Sequence, residues 1–175
     1  ATDDVNENIA VNPVSGAPVD FTHILSNDGN VTDTYTIDIS NEGGDDFDYD
    51  IANSTITYQK RDADGNLFGN VETIANGGSI QLNPGESADI TITAVTDPND
   101  DRVIGDNGIL TVTSTSKYLN DKGQTATATN TDNAITTTPI YAITKSARTN
   151  LGTKIIDLNN PNAYVDYTIT VLNEG

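Results

Sequence analysis

Apolar side chains recur at every second position along this chain, and no stretch sets them at the i, i+3, i+4, i+7 spacing of an amphipathic helix. Phe21, His23 and Leu25 share one side of a first run, and Tyr35, Ile37 and Ile39 share one side of a second. The pattern returns at Ile56 and Tyr58, at Ile80 and Leu82, at Ala88, Ile90, Ile92 and Ala94, and at Leu110, Val112 and Ser114. It continues through Thr125–Thr129 and Ile140–Ile143, and is cleanest at Val165, Tyr167, Ile169 and Val171. Successive side chains of a strand point to opposite faces, so each run has one face for a core and one for water. Turn-forming clusters separate the runs: Asn27-Asp28-Gly29-Asn30, Gly43-Gly44, Asp64-Gly65-Asn66, Asn76-Gly77-Gly78, Asn83-Pro84-Gly85 and Asp106-Asn107-Gly108. Short alternating strands punctuated this often predict an all-β protein, an antiparallel β-sandwich.

Composition alone would suggest something else. The chain is 35% hydrophobic and carries a formal charge of −18, from 26 acidic against 8 basic residues. That combination can mark disorder, but here the few apolar residues are too well ordered along the sequence. The acidity excludes nucleic acid and anionic membrane surfaces as partners, because both would repel it. With no cysteine there is no disulfide framework and no thiolate zinc site. No apolar run is long enough for a membrane-spanning helix, and Ala1-Thr2-Asp3-Asp4 does not read as a secretion leader.

The chain also matches itself. Val19-Asp20-Phe21-Thr22-His23-Ile24-Leu25-Ser26-Asn27-Asp28-Gly29 aligns without gaps to Val165-Asp166-Tyr167-Thr168-Ile169-Thr170-Val171-Leu172-Asn173-Glu174-Gly175, an offset of 165 − 19 = 146 residues. Both copies read as a strand ending in an Asn-acid-Gly turn, in which glycine would supply a positive φ. A recurrence at domain spacing predicts tandem modules. The expected division is 1–17 as an N-terminal strand, linker or tail of a preceding repeat, 18–139 as the sandwich module, and 140–175 as a linker and the first strand of a following repeat. A strand such as Tyr164–Leu172 cannot satisfy its backbone alone. It is expected to complete the sheet before it or to be exchanged with a neighbouring copy or adjacent repeat by strand addition.

Three stretches carry a resemblance. They are FTHILSNDGNVTDTYTIDIS at Phe21–Ser40, LNPGESADITITAV at Leu82–Val95, and the closing YAITKSA and AYVDYTITVLNEG segments at Tyr141–Ala147 and Ala163–Gly175. Together they resemble the "conserved repeat" immunoglobulin-like domains of bacterial and archaeal surface proteins. The resemblance implies an immunoglobulin-like fold and tandem arrays on an exported, extracellular protein of the cell surface: a stalk, filament, adhesin or surface layer. The family has no shared catalytic residues. The stretch Asp45–Gly78 is longer than a minimal repeat of this kind.

The search for chemistry points away from catalysis. His23 is the lone histidine and sits mid-strand, where it reads as a partly buried packing residue. Neither G-x-S-x-G, a phosphate-binding glycine loop nor H-E-x-x-H occurs, so the expectation is that the chain is no enzyme. Calcium is the cofactor to consider, since it takes six to eight hard oxygens from flexible loops. Asp62, Asp64 and Asn66 have the spacing of an Asp-rich calcium loop, although Leu67 stands where such loops place glycine; the other reading of the same Asp-Gly is a hairpin turn linking Tyr58 to Phe68. Asp97, Asp100, Asp101 and Asp106 crowd enough like charge to call for a cation, with Asn99 among them as a further oxygen ligand. Asp45, Asp46, Asp48 and Asp50 alternate with Phe47 and Tyr49 and are expected to point outward. Tyr35, Tyr58, Tyr141 and Tyr167 are expected in the core, while Lys60, Arg61 and Arg148 read as surface ion-pair partners. The function these features favour is a structural module of a surface protein or filament. The alternative is an adhesin module that recognises a glycan or host protein through its long loops.

Overall fold

The computed structural model describes residues 6–11, 18–99, 102–137, 141–149, 162 and 164–173. The elements are β1 (Asn8–Val11), β2 (Pro18–Ser26), β3 (Asp33–Asn41), β4 (Thr55–Arg61), β5 (Leu67–Ile74), β6 (Gly78–Leu82), β7 (Ser87–Val95) and β8 (Asn107–Ser116). They are followed by a short helix α1 (Lys117–Asp121), then β9 (Thr127–Thr136), β10 (Tyr141–Thr149) and β11 (Val165–Asn173). Two compact units divide the chain at Thr137/Thr138.

The first unit holds a five-stranded sheet, β1-β9-β8-β3-β6, and a four-stranded sheet, β2-β7-β4-β5. All pairings are antiparallel except β1 with β9, which run parallel from Asn8↔Asn133 to Val11↔Thr136. The alternation read from sequence becomes burial: Phe21, Ile56, Ala88 and Ile92 of one sheet and Ile37, Ile80, Leu82 and Leu110 of the other are at most 1% exposed. The unit is an immunoglobulin-like antiparallel β-sandwich, with sequence-distant strands paired β2 to β7 and β3 to β8 as Greek-key connections require.

The Asn-acid-Gly turn after β2 works differently from the expectation. Gly29 is not among the positive-φ glycines. Instead Asn27 is 3% exposed and its carboxamide ties the turn together, donating to Val31 O and Leu82 O and accepting from Gly29 N at 3.1 Å. A Cβ on Gly29 would lie 3.0 Å from Asn27 Oδ1, so the glycine leaves space for the carboxamide.

Helix α1 is one turn, begun by Ser116 Oγ accepting from Leu119 N. Asp33 at the start of β3 joins that cap, accepting from Tyr118 N at 2.9 Å, from Thr34 N and from Ser116 Oγ. Burial pushes its carboxyl up, but these donors outweigh it and hold Asp33 below the usual carboxylate range.

The second unit is a β-hairpin. β10 and β11 pair antiparallel at nine positions, from Tyr141↔Asn173 to Thr149↔Val165. β11 therefore has its hydrogen-bonding partner within the chain.

Candidate functional site

Sequence reasoning missed a polar cluster between the two sheets of the sandwich. β9 alternates Asn130, Asp132, Ala134 and Thr136 toward the core, so three of these four inward positions are polar. Opposite them, β2 turns His23 inward between Phe21 and Leu25. His23 Nε2 stands 2.9 Å from Asp132 Oδ2, with the two side chains 7% and 0% exposed. The other ring nitrogen, Nδ1, lies 3.2 Å from Asn130 Nδ2. The amide is a donor, so Nδ1 accepts and the proton facing the carboxylate sits on Nε2. His23 is buried as expected, but beyond packing it makes a polar contact that bridges the two sheets. An acid and an imidazole at inward positions of two alternating strands was the signal that could have found it.

Glu7 extends this cluster to the surface. Its backbone N–H donates to Asp132 Oδ1 at 2.9 Å, and its carbonyl accepts from Asn133 N. Its carboxylate accepts from Thr22 N at 2.9 Å and Thr22 Oγ1 at 2.7 Å, on the side of β2 away from β7. The residue before β1 thus links β9 of one sheet to β2 of the other.

The acid-rich loops gather at the opposite role, that of backbone capping. Phe47 and Tyr49 are buried, while Asp46 and Asp48 are exposed. Asp45 Oδ2 accepts from Ile109 N at 2.6 Å, and Asp46 Oδ2 from Asn107 N. Asp50 accepts from the backbone and side chain of Asn53. A Cβ on Gly108 would come within 2.2 Å of Phe47 Cε2, so this glycine forms the seat of the Phe47 ring. The Arg102 guanidinium lies 5.0 Å over the same ring, and Tyr49 donates its hydroxyl to Gly108 O. Burial pushes the Tyr49 hydroxyl pKa up.

The expected calcium residues are dispersed among similar tasks. Asp97 Oδ1 accepts from the backbone and side chain of Asn99, both at 2.8 Å, and Asp106 Oδ2 accepts from Val103 N. Asp100 and Asp101 lie outside the described residues. Asp62 closes the turn from β4 to β5: its Oδ1 accepts from Asp64 N at 3.0 Å and from Asn66 N at 2.8 Å. The Asn66 N–H above all holds the Asp62 carboxyl below its ordinary range. Among the described residues, no three acidic or imidazole groups converge in the way a metal site requires.

Of the tyrosines, Tyr35 and Tyr58 are buried, and burial raises both hydroxyl pKa values to about 12. Tyr167, expected in the core, is 62% exposed, because its hairpin presents only two strands. Arg61 pairs with Asp89 at 2.6 Å across the outer face of β4 and β7, and Lys60 lies beside it. The Arg148 side chain lies outside the described residues. The largest apolar side chains left exposed on the sandwich strands include Leu67, Phe68 and Val71 of β5, whose pairing partner is β4.

No family model matches this chain. No curated protein matches it either. Solved structures do match. A family 123 glycoside hydrolase from Clostridium perfringens, studied for glycolipid glycan hydrolysis, is similar over 75% of this chain at 13% identity and a TM-score of 0.49. The chain spans 23% of that enzyme's length. The ASH / PapD-like domain of human CEP192 (PapD-like domain 7) is similar over 75% of this chain and 82% of its own, at 10% identity and a TM-score of 0.34. The first likeness corrects the expectation that the chain is no enzyme, an exclusion that does not stand with a glycoside hydrolase among the matches. The physical weakness of that exclusion lies in its premise. Missing nucleophile and zinc motifs bear only on those motifs' own families, whereas glycoside hydrolysis runs on paired carboxylates that carry no local motif. The likeness itself concerns the fold and assigns no chemistry to any residue of this chain.

Proposed function

We propose that this β-sandwich is a structural module of an extracellular surface protein or filament, related to the "conserved repeat" immunoglobulin-like domains and repeated in tandem. One observation carries the reading. β11 repeats the sequence of β2 at an offset of 165 − 19 = 146 residues, and it belongs to a second compact unit, where it pairs with β10 along nine positions. A module that closes its own sheets, followed by a hairpin that opens like the same module again, suits an array in which each bead folds on its own strands. The acidic surface keeps such an array soluble and its members apart. The test is microscopy of the parent protein with antibody labelling of intact cells. Beads in a row and labelling without permeabilisation are expected. A compact particle reached only after lysis would sink the proposal.

A second reading is favoured by the β5 strand. Recognition of a glycan or host protein needs exposed apolar contacts, and Leu67, Phe68 and Val71 are 49%, 41% and 63% exposed. Phe47 and Tyr49, the other aromatics of the long loops, are buried in the sandwich. An adhesin function would therefore lodge on β5, and glycan-array binding that is lost with Phe68→Ala would support it. Binding unchanged in that variant would count against it.

A further inference from the structure

Two strands of this chain are built for one position. β2 and β11 each span nine residues, and their alignment superimposes inward-facing Val19 on Val165 and Phe21 on Tyr167. Both strands carry outward Asp at the next position, Asp20 and Asp166. A strand of this pattern can pair with β7 in the register Val19↔Ala94, Phe21↔Ile92, His23↔Ile90 that β2 uses. Homologous strands in neighbouring modules invite exchange, the common misassembly of repeat proteins.

They differ at the position that faces the buried acid. Where β2 carries His23, β11 carries Ile169. With β2 in place, Asp132 Oδ2 lies 2.9 Å from His23 Nε2, and among the described residues neither atom has a hydrogen-bond partner elsewhere. With β11 in the same register, that fully buried oxygen would meet an aliphatic side chain instead. Leaving a buried acid without the polar partner it faces is among the most unfavourable single changes in a core. A stray strand therefore fits by shape and fails by charge.

We propose that the His23–Asp132 pair is a strand-sorting lock, which admits β2 to the position beside β7 and rejects β11 of a second copy of this chain. The idea rests on the tandem-module reading and deepens it, because the lock keeps adjacent copies as separate beads. Buried polar pairs that fix register and partner at some cost in stability are its best-attested parallel. Glu7 reinforces the lock, since its N–H holds the other carboxylate oxygen of Asp132 and its own carboxylate holds Thr22 of the accepted strand.

The experiment uses the full chain, which contains no native cysteine. Thr93 on β7 faces Asp20 on β2, and Asp166 is the counterpart of Asp20 on β11. Thr93→Cys with Asp166→Cys therefore forms an interchain disulfide when β11 of one copy occupies the place of β2 in another. This pair is refolded at high protein concentration in three backgrounds: otherwise unchanged, Ile169→His, and His23→Ile with Asp132→Leu. Ile169→His alters an exposed position of the hairpin and supplies the stray strand with the missing imidazole. The double substitution removes the acid together with its partner, leaving no buried charge behind. Crosslinked dimer is expected to be scarce in the first background and to rise about tenfold or more in each of the other two. Equal dimer yields in all three would overturn the lock, as would a first background already dominated by exchanged dimers. A purely structural role for His23 would leave the Ile169→His chain unchanged. The tandem reading fails on other grounds, by compact single particles in microscopy, so the two failures are distinguishable.

Discussion

β2 and β11 share a pattern and live in different surroundings. Along β2, Val19, Phe21, His23 and Leu25 are no more than 7% exposed, sealed by the facing sheet. Along β11, Tyr167 and Ile169 are each 62% exposed, on a hairpin of two strands. The comparison separates two things that alternation merges. Period two determines which side chains can enter a core together, but a core forms only where a second layer stands opposite.

The largest test of this contrast is a matched truncation. Phe21→Ala should destabilise the sandwich by about 4 kcal/mol, as full deletion of a buried ring does. Tyr167→Ala should change unfolding by less than about 0.5 kcal/mol. Urea denaturation of both variants checks the pair, and a similar loss in each would break the comparison. The reciprocal exchange comes next. His23→Ile should lower stability by about 3 kcal/mol through the stranded Asp132 charge. Ile169→His, at an exposed position, should leave the midpoint of unfolding where it was.

A smaller effect, about 2 kcal/mol, is expected for Asn27→Ala, which leaves the carbonyls of Val31 and Leu82 without its donor. Acidification gives a further graded loss. The carboxyl of Asp33 titrates below its ordinary 3.8 in the folded chain. Its contribution is therefore complete above that value and is lost as the pH falls through the lower, folded one. Asp33→Asn should reduce stability at neutral pH and flatten the acid limb of the pH profile, read by thermal melts. The smallest change belongs to the turn between β4 and β5. Asp62→Ala should lower the melting temperature slightly and equally in calcium and in EDTA, because Asp62 spends its Oδ1 on backbone N–H groups. A drop seen in calcium alone would make Asp62 a ligand instead.

The same contrast explains how far the sequence could be read. β3, β7 and β8 were legible, because the middle of each presents aliphatic or aromatic side chains inward. β9 was legible only at its start. The run read as Thr125–Thr129 continues to Thr136, but its inward positions hold Asn130 and Asp132, which break an apolar alternation. That concealment also hid the His23 bridge, since an acid at a core position declares itself only when its partner is known. β5 was legible only through the Asp64-Gly65 turn that leads from Tyr58 to Phe68, for the opposite reason: seven of its eight residues are exposed, so burial writes no period into it. The calcium loops looked plausible because Asp and Asn serve equally well as cation ligands and as caps for backbone N–H groups. Only their hydrogen-bond partners separate the two uses.

The parallel pairing of β1 with β9 has a mechanical consequence. Pull on the sandwich from the start of β1 and the end of β9, and the strands slide along their common axis in opposite directions. The hydrogen bonds between Asn8↔Asn133 and Val11↔Thr136 then resist together in shear, rather than parting one by one like a zip. Asp132, gripping the Glu7 N–H just ahead of β1, acts as a buried anchor at the point where tension would enter.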